Sequence, residues 1–128
     1  MEGAERVKIE RIVGDFTVCQ VPNLSSVNLD AAYCFVGKTD EEKSLVCLTQ
    51  DVPENTLARE DGWRAFRIAG ALDFSLIGIL ARISAVLSAA GIGIFAVSTY
   101  NTDYIFVKKD SETRAITALK DAGYEIAE

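Results

Sequence analysis

Two stretches of the sequence decide the fold: Leu72-Asp-Phe-Ser-Leu-Ile-Gly-Ile-Leu80 and Ala90-Gly-Ile-Gly-Ile-Phe-Ala-Val-Ser-Thr-Tyr-Asn-Thr-Asp-Tyr-Ile-Phe-Val107. Apolar residues recur at helical spacing from Leu76 to Ala90, and a glycine, Gly91, follows in the position where helices usually end. The second stretch continues as a strand over 94–98, a turn and a returning strand over 104–108. Together they predict a helix that leads into a β-hairpin.

The flanking residues extend this pattern on both sides. Trp63–Ile68 alternates like a half-buried strand before the helix, for which Ser75 is the predicted N-cap. After the hairpin, Asp110 and Ser111 can cap a second helix that ends at Gly123, and Tyr124–Ala127 is a short closing strand. The resulting order, βαββαβ, predicts an α+β ferredoxin-like unit.

The first half of the chain is predicted to be mostly β. Val7–Val13 and Phe16–Val21 read as two antiparallel strands joined by a tight turn at Gly14-Asp15. Tyr33–Val36 and Ser44–Thr49 are two more strand candidates. Pro, Gly and charged residues gather between residues 51 and 62, which predicts a boundary there and two domains, residues 1–58 and 59–128.

Composition excludes several classes of partner. The 128 residues are 49% hydrophobic and carry a net charge of −6, with 13 Lys and Arg scattered along the chain. Because phosphate neutralisation supplies most of the affinity for nucleic acid, we expect no nucleic-acid partner. No apolar run is long enough to span a bilayer, and the charged start Met1–Arg6 is not that of a signal peptide. We therefore expect a cytoplasmic protein with no membrane partner.

Catalytic and metal chemistry have few candidate residues. The sequence contains no histidine, which excludes a His base, a Ser-His or Cys-His pair and a His-bound zinc. The three cysteines, Cys19, Cys34 and Cys47, lack Cys-x-x-Cys spacing and read as buried reduced thiols. Gly91-Ile-Gly93 lies between a helix and a strand, the reverse of the dinucleotide-binding order. The sequence thus predicts a non-enzyme without cofactor or metal.

The motifs quoted above resemble the ACT domain family and, more narrowly, small bacterial tandem-ACT proteins related to the CASTOR arginine sensors. The resemblance extends from Gly62 to Ile126, and Ser98-Thr-Tyr-Asn-Thr-Asp-Tyr104 is its most specific part. It implies an ACT domain preceded by a divergent first ACT-like unit without an evident long helix. It also implies a regulatory or sensor protein that binds a small ligand, an amino acid, at an interface between two ACT units.

The resemblance, read with the local chemistry, suggests a ligand site. Free N–H groups where a loop meets a helix favour the carboxylate of an amino acid, and Asp103 occupies an acidic position that the arginine sensors direct toward their ligand. Asp73 is a second candidate partner for the ammonium group, and Gly78 leaves room for close approach. The complete predicted set is Asp73, Phe74, Ser75, Leu76, Ile77, Gly78, Ser98, Thr99, Tyr100 and Asp103.

Structural explanations compete with these assignments. Asp103 can bond its own turn, Asp73 and Ser75 can simply start a helix, and Gly78 can serve packing. The alternative function is a ligand-free module that pairs with a target protein; an enzyme using Asp73 and Asp103 as acid and base ranks last. Under both leading readings we expect a homodimer by analogy, acting on an unidentified target protein.

Overall fold

A computed structural model describes residues 7–70 and 78–128 of the chain. Over these residues the fold is mostly β, with two α-helices and two single turns of 3₁₀ helix at Thr49–Asp51 and Lys109–Ser111. The strands are β1 Val7–Gln20, β2 Cys34–Lys38, β3 Lys43–Leu48, β4 Ala58–Gly70, β5 Ile94–Ser98, β6 Asp103–Lys108 and β7 Glu125–Ala127. The helices are α1 Ile79–Ala89 and α2 Glu112–Asp121.

The chain divides into two compact units. A discontinuous unit combines the chain up to Val13 with Arg64–Glu128, and a continuous unit comprises Gly14–Trp63. The long strands β1 and β4 each contribute to both units. The predicted domain division between residues 58 and 59 stays a prediction.

The discontinuous unit contains the predicted βαββαβ order, running from β4 through α1, β5, β6 and α2 to β7. Its strand order is β7-β1-β4-β6-β5, so β1 lies between the first and last strands of that pattern. Residues Lys8–Glu10 pair in parallel with Glu125–Ala127, while β5 and β6 form an antiparallel pair. An additional strand from the start of the chain therefore completes this sheet, which the sequence did not predict.

Both helices of this unit bury one apolar face. In α1, Ile79, Ile83 and Leu87 recur at a spacing of one helical turn and are buried. They pack with sheet residues into one core, whose buried members are Val7, Ile9, Phe66, Ile68, Ile79, Ile83, Leu87, Ile92, Ile105, Val107, Ala115, Leu119 and Tyr124. Gly91 and Gly123 follow the two helices with positive φ, as the pattern predicted.

The predicted hairpin at Gly14-Asp15 is wrong, because β1 is one strand that continues through this dipeptide. Gly14 has a φ of 129°, a value that residues with a Cβ rarely adopt, and an added Cβ would lie 2.8 Å from Cδ2 of Leu48. The glycine therefore serves a strand that passes close to a neighbouring side chain. Pairing with other strands prevailed over the local turn preference of the dipeptide.

The strand order through the continuous unit is β2-β3-β1-β4, in which the β2–β3 and β3–β1 pairs are antiparallel. Phe16–Gln20 of β1 pairs with β3, and β3 pairs along its length with β2. Residues 14–63 contain no α-helix, in agreement with the sequence. The charged segment from Arg59 to Gly62, predicted as a boundary loop, instead lies inside β4.

Candidate functional site

The predicted ligand-site residues fall into two groups. Asp73, Phe74, Ser75, Leu76 and Ile77 lie outside the described residues. The other group lies within the described residues. It comprises Gly78, before α1, and four residues of the β5–β6 hairpin and its loop: Ser98, Thr99, Tyr100 and Asp103. The geometry of the site is therefore that of the hairpin and of the start of α1.

The hairpin holds Asp103 beside Ser98. The two residues are register partners, and the Ser98 hydroxyl donates a hydrogen bond to Oδ1 of Asp103 at 2.6 Å. Asp103 thus binds a cross-strand hydroxyl. Strand alternation places Asp103 on the same face of the sheet as Ile105 and Val107, which belong to the core beneath the helices. Its carboxylate consequently lies on the helix-bearing face of the sheet.

The loop between Ser98 and Asp103 is closed by its own polar groups. The Thr99 N–H donates to the Thr102 carbonyl at 2.8 Å, and the Thr99 hydroxyl donates to the same oxygen at 2.9 Å. The Thr102 N–H donates to the Thr99 hydroxyl at 3.3 Å. The N–H of Thr99, predicted to bind a ligand, is therefore engaged within the loop. Tyr100, in the same loop, is 91% exposed to solvent.

Thr102 attaches this loop to β4. Its hydroxyl donates a hydrogen bond of 2.5 Å to the carbonyl oxygen of Ile68, 34 residues earlier in the chain. Ile68 lies two residues before Gly70, the last residue of β4, so the hairpin loop is held near the end of that strand. Thr102 was missed in the sequence because nothing local distinguishes it from an ordinary turn threonine.

Gly78 is the N-cap residue of α1. It has a φ of 81°, and an added Cβ would lie 3.3 Å from Nη1 of Arg82. The helix begins at Ile79. Ser75, the N-cap predicted from the sequence, lies outside the described residues. Gly78 lies before the helix and not in its first turn. Its positive φ, which glycine adopts without strain, therefore accounts for a glycine at this position.

Arg67 is a fixed cation beside the hairpin that the sequence did not single out. Its Nε donates to Oε1 of Glu10 at 2.9 Å, its Nη1 donates to the Tyr104 hydroxyl at 3.4 Å, and its guanidinium carbon lies 5.8 Å from the centroid of the Tyr104 ring. The hydrogen bond to Tyr104 contributes most to raising the pKa of Arg67, and the bond to Glu10 contributes next. The arrangement ties β1, β4 and β6 together, and strand alternation places Arg67 and Tyr104 on the face of the sheet opposite to Ile68 and Asp103.

Within residues 7–70 and 78–128, no group of three or more Cys, Asp or Glu side chains is arranged to hold a metal ion. None of the helices in the same two ranges is long and apolar enough to cross a membrane.

The order of elements is that of a βαββαβ unit, and a comparison with family models identifies its family. The model described as "ACT domain" matches residues 58–121, half of the sequence. The chain belongs to the ACT domain family. A search of curated proteins found no match.

Solved structures give the same fold. Protein Atu0741 of Agrobacterium tumefaciens is 26% identical, with a TM-score of 0.84, and the match covers 94% of this chain and 92% of that one. The regulatory subunit of aspartate kinase from Thermus thermophilus is 10% identical, with a TM-score of 0.63 and coverages of 91% and 96%. Aspartate kinase of Clostridium acetobutylicum, 13% identical with a TM-score of 0.63, matches 91% of this chain, which spans 34% of that enzyme.

Proposed function

We propose that this chain is a non-catalytic regulatory protein that binds an amino acid at an ACT–ACT interface and acts on a separate target protein. The observation that carries the proposal is the hydrogen bond from Thr102 to Ile68, which holds the Ser98–Asp103 end of the hairpin close to the end of β4. Family membership supports regulatory binding of a small ligand, and similar solved structures include a regulatory subunit and an enzyme described as allosteric.

The proposed site joins the two groups of residues predicted from the sequence. The backbone from Asp73 to Gly78 receives the ligand carboxylate, and Asp103 receives its ammonium group. Ser98 orients Asp103 through the 2.6 Å bond, and Thr102 fixes the loop. Arginine is the first ligand to test because of the resemblance to the CASTOR sensors.

Thermal unfolding with each common amino acid tests the proposal. A ligand present at about 100 times its Kd stabilises the folded state by about 2.7 kcal/mol, and we expect at least one amino acid to raise Tm accordingly. Asp103→Asn is expected to weaken that ligand at least about tenfold, which corresponds to about 1.4 kcal/mol. The asparagine oxygen can still accept the Ser98 bond, so the loss reports the missing charge.

The exposed carboxylate of Asp110 provides a matched control. Asp110→Asn removes the same charge from the 3₁₀ turn before α2, and we expect ligand affinity to remain as in the parent protein. Equal affinity in the Asp103 and Asp110 variants would reject the site, and no stabilisation by any amino acid at millimolar concentration would reject the proposed ligand class.

A second proposal concerns self-association, which applies with or without a ligand. Strand β5 ends the strand order of the described residues, and its sequence Ile-Phe-Ala-Val-Ser carries no charge or proline that would discourage pairing with another strand. A second copy can extend the sheet by antiparallel pairing of β5 with itself, which produces a two-fold symmetric dimer.

Light scattering combined with size-exclusion chromatography tests the dimer. Ala96 is exposed on β5, and Ala96→Lys is expected to convert a dimer into a monomer by placing like charges at the symmetric contact. Ser88→Lys, an exposed substitution on α1, is expected to leave the mass unchanged. A parent protein that is monomeric at every concentration would contradict this proposal.

A further inference from the structure

Cys34 and Cys47 face each other across two antiparallel strands of the continuous unit. They are register partners on β2 and β3, and both are free thiols. The bond from the Thr39 N–H to the Glu42 carbonyl, 2.9 Å, marks Thr39 and Glu42 as a hydrogen-bonded pair of the hairpin. Because hydrogen-bonded and non-hydrogen-bonded pairs alternate along an antiparallel ladder, Cys34 and Cys47, five positions further along, form a non-hydrogen-bonded pair.

This type of pair brings the two side chains together. In a non-hydrogen-bonded pair the Cα atoms are about 4.5 Å apart and both side chains project from the same face. A disulfide accepts Cα separations of about 4.4 to 6.8 Å, so the pair lies within the permitted range and near its lower limit. The backbone can therefore accommodate a Cys34–Cys47 disulfide without moving either strand apart.

The third cysteine is less well placed. Cys19 pairs with Leu45 on β3, so it is only a diagonal neighbour of Cys47, at a distance of about 7–8 Å between Cα atoms. That distance exceeds what a disulfide spans without backbone movement. Cys19 and Cys47 are both buried, whereas Cys34 is half-buried on β2, which ends the strand order of its unit. Reagents in solution therefore reach Cys34 first.

We propose that Cys34 and Cys47 are a redox-active dithiol that a low-molecular-weight disulfide oxidises to a cross-strand disulfide. The Cys34 thiolate attacks one sulfur of the reagent, forming a mixed disulfide and releasing one thiolate. The Cys47 thiolate then attacks Sγ of Cys34, forming the Cys34–Cys47 bond and releasing the second thiolate. Two protein thiols lose two electrons and two protons, and one reagent disulfide becomes two thiols.

The surroundings of the pair make oxidation slow and reversible. Burial raises the pKa of Cys34 and raises the pKa of Cys47 to about 12, Asp51 and the neighbouring thiols add to the increase at Cys47, and Arg59 opposes it. Both groups are consequently protonated at neutral pH, and only a small thiolate fraction reacts. Thiol–disulfide exchange runs in both directions, so an excess of a small thiol returns both cysteines to the reduced form. When formed, it ties strand β2 covalently to β3.

Thiol mapping of the full chain tests this proposal. The folded protein is equilibrated with glutathione disulfide, the remaining thiols are alkylated after denaturation, and the linked peptides are identified by mass spectrometry. We expect free thiols to fall from three to one, the single linkage to join Cys34 to Cys47, and a reducing agent to restore all three. Amide hydrogen exchange in β2 is expected to slow when the bond forms.

Matched serine variants distinguish the pair from general thiol reactivity. Cys19→Ser is expected to form the same disulfide, whereas Cys34→Ser and Cys47→Ser should form none. The same oxidation in urea serves as a reference, because an unfolded chain can form all three pairings. A folded protein that keeps three free thiols while the unfolded chain oxidises, or a folded protein that links Cys19, would overturn the proposal.

Discussion

Gly14→Ala is expected to lower the free energy of unfolding by about 2–3 kcal/mol. Gly14 has a φ of 129° in the middle of β1, and alanine can occupy that conformation only with strain. The new Cβ would also lie 2.8 Å from Cδ2 of Leu48, although this flexible side chain can move aside. The backbone strain therefore supplies most of the expected loss, which urea denaturation followed by circular dichroism would measure.

Gly37→Ala is the matched control. Gly37 also lies inside a strand, but its φ is outside the positive region and nothing lies within 4 Å of an added Cβ. Alanine reduces the entropy of the unfolded chain there, so we expect a gain of up to about 1 kcal/mol. The two substitutions should change stability in opposite directions, and a similar small effect at both positions would show that Gly14 has no special conformational role.

Glu112→Gln is expected to cost about 2 kcal/mol of unfolding free energy. Glu112 begins α2, and its side chain is only 13% exposed. Its carboxylate oxygens lie 2.9 Å from Nε of Arg11 and 3.4 Å from Nη1 of Arg64, two guanidinium groups that are themselves largely shielded from solvent. Glutamine retains the shape but removes the negative charge beside both guanidinium groups, while Arg11 keeps a second carboxylate partner, Glu128. The bond to Glu112 is also the main reason why the pKa of Arg11 is raised.

The exposed pair between Lys8 and Glu125 provides the comparison. These side chains are 50% and 69% exposed, with 3.3 Å between Nζ and Oε2. Water and salt screen such pairs, so Glu125→Gln should leave the urea midpoint unchanged within error. If the two glutamine variants had equal midpoints, the Arg11–Glu112–Arg64 group would have no stabilising role beyond that of a surface pair.

The sequence predicted the elements whose signals are local. Strand β5 has the predicted bounds, and α1 and α2 follow from apolar residues at helical spacing and from glycines after each helix. The turn at Gly14-Asp15 was wrong because the dipeptide preference is weak compared with strand pairing over many residues. The insertion of β1 beside β7 could not be read from the sequence, since it joins segments more than a hundred residues apart.

In the candidate site, too, the sequence indicated residues with a local signal and missed one whose contact is distant in the chain. Ser98 and Asp103 were found through a resemblance in seven consecutive residues, and the structure pairs them across the hairpin. Thr102 was not found, because its importance depends on a carbonyl 34 residues away. The assignments from Asp73 to Ile77 stay predictions, as does the part of each described residue in binding.

The parallel pairing of Lys8–Glu10 with Glu125–Ala127 has a consequence for how the protein is made. The discontinuous unit cannot complete its sheet until the segment containing β7 has left the ribosome. The start of β1 therefore lacks its β7 partner while most of the chain is being synthesised. The continuous unit contains only strands that are close in sequence and can form earlier. We therefore expect that, in nascent chains truncated before residue 125, residues 14–63 resist proteolysis while residues 64–124 remain sensitive to it.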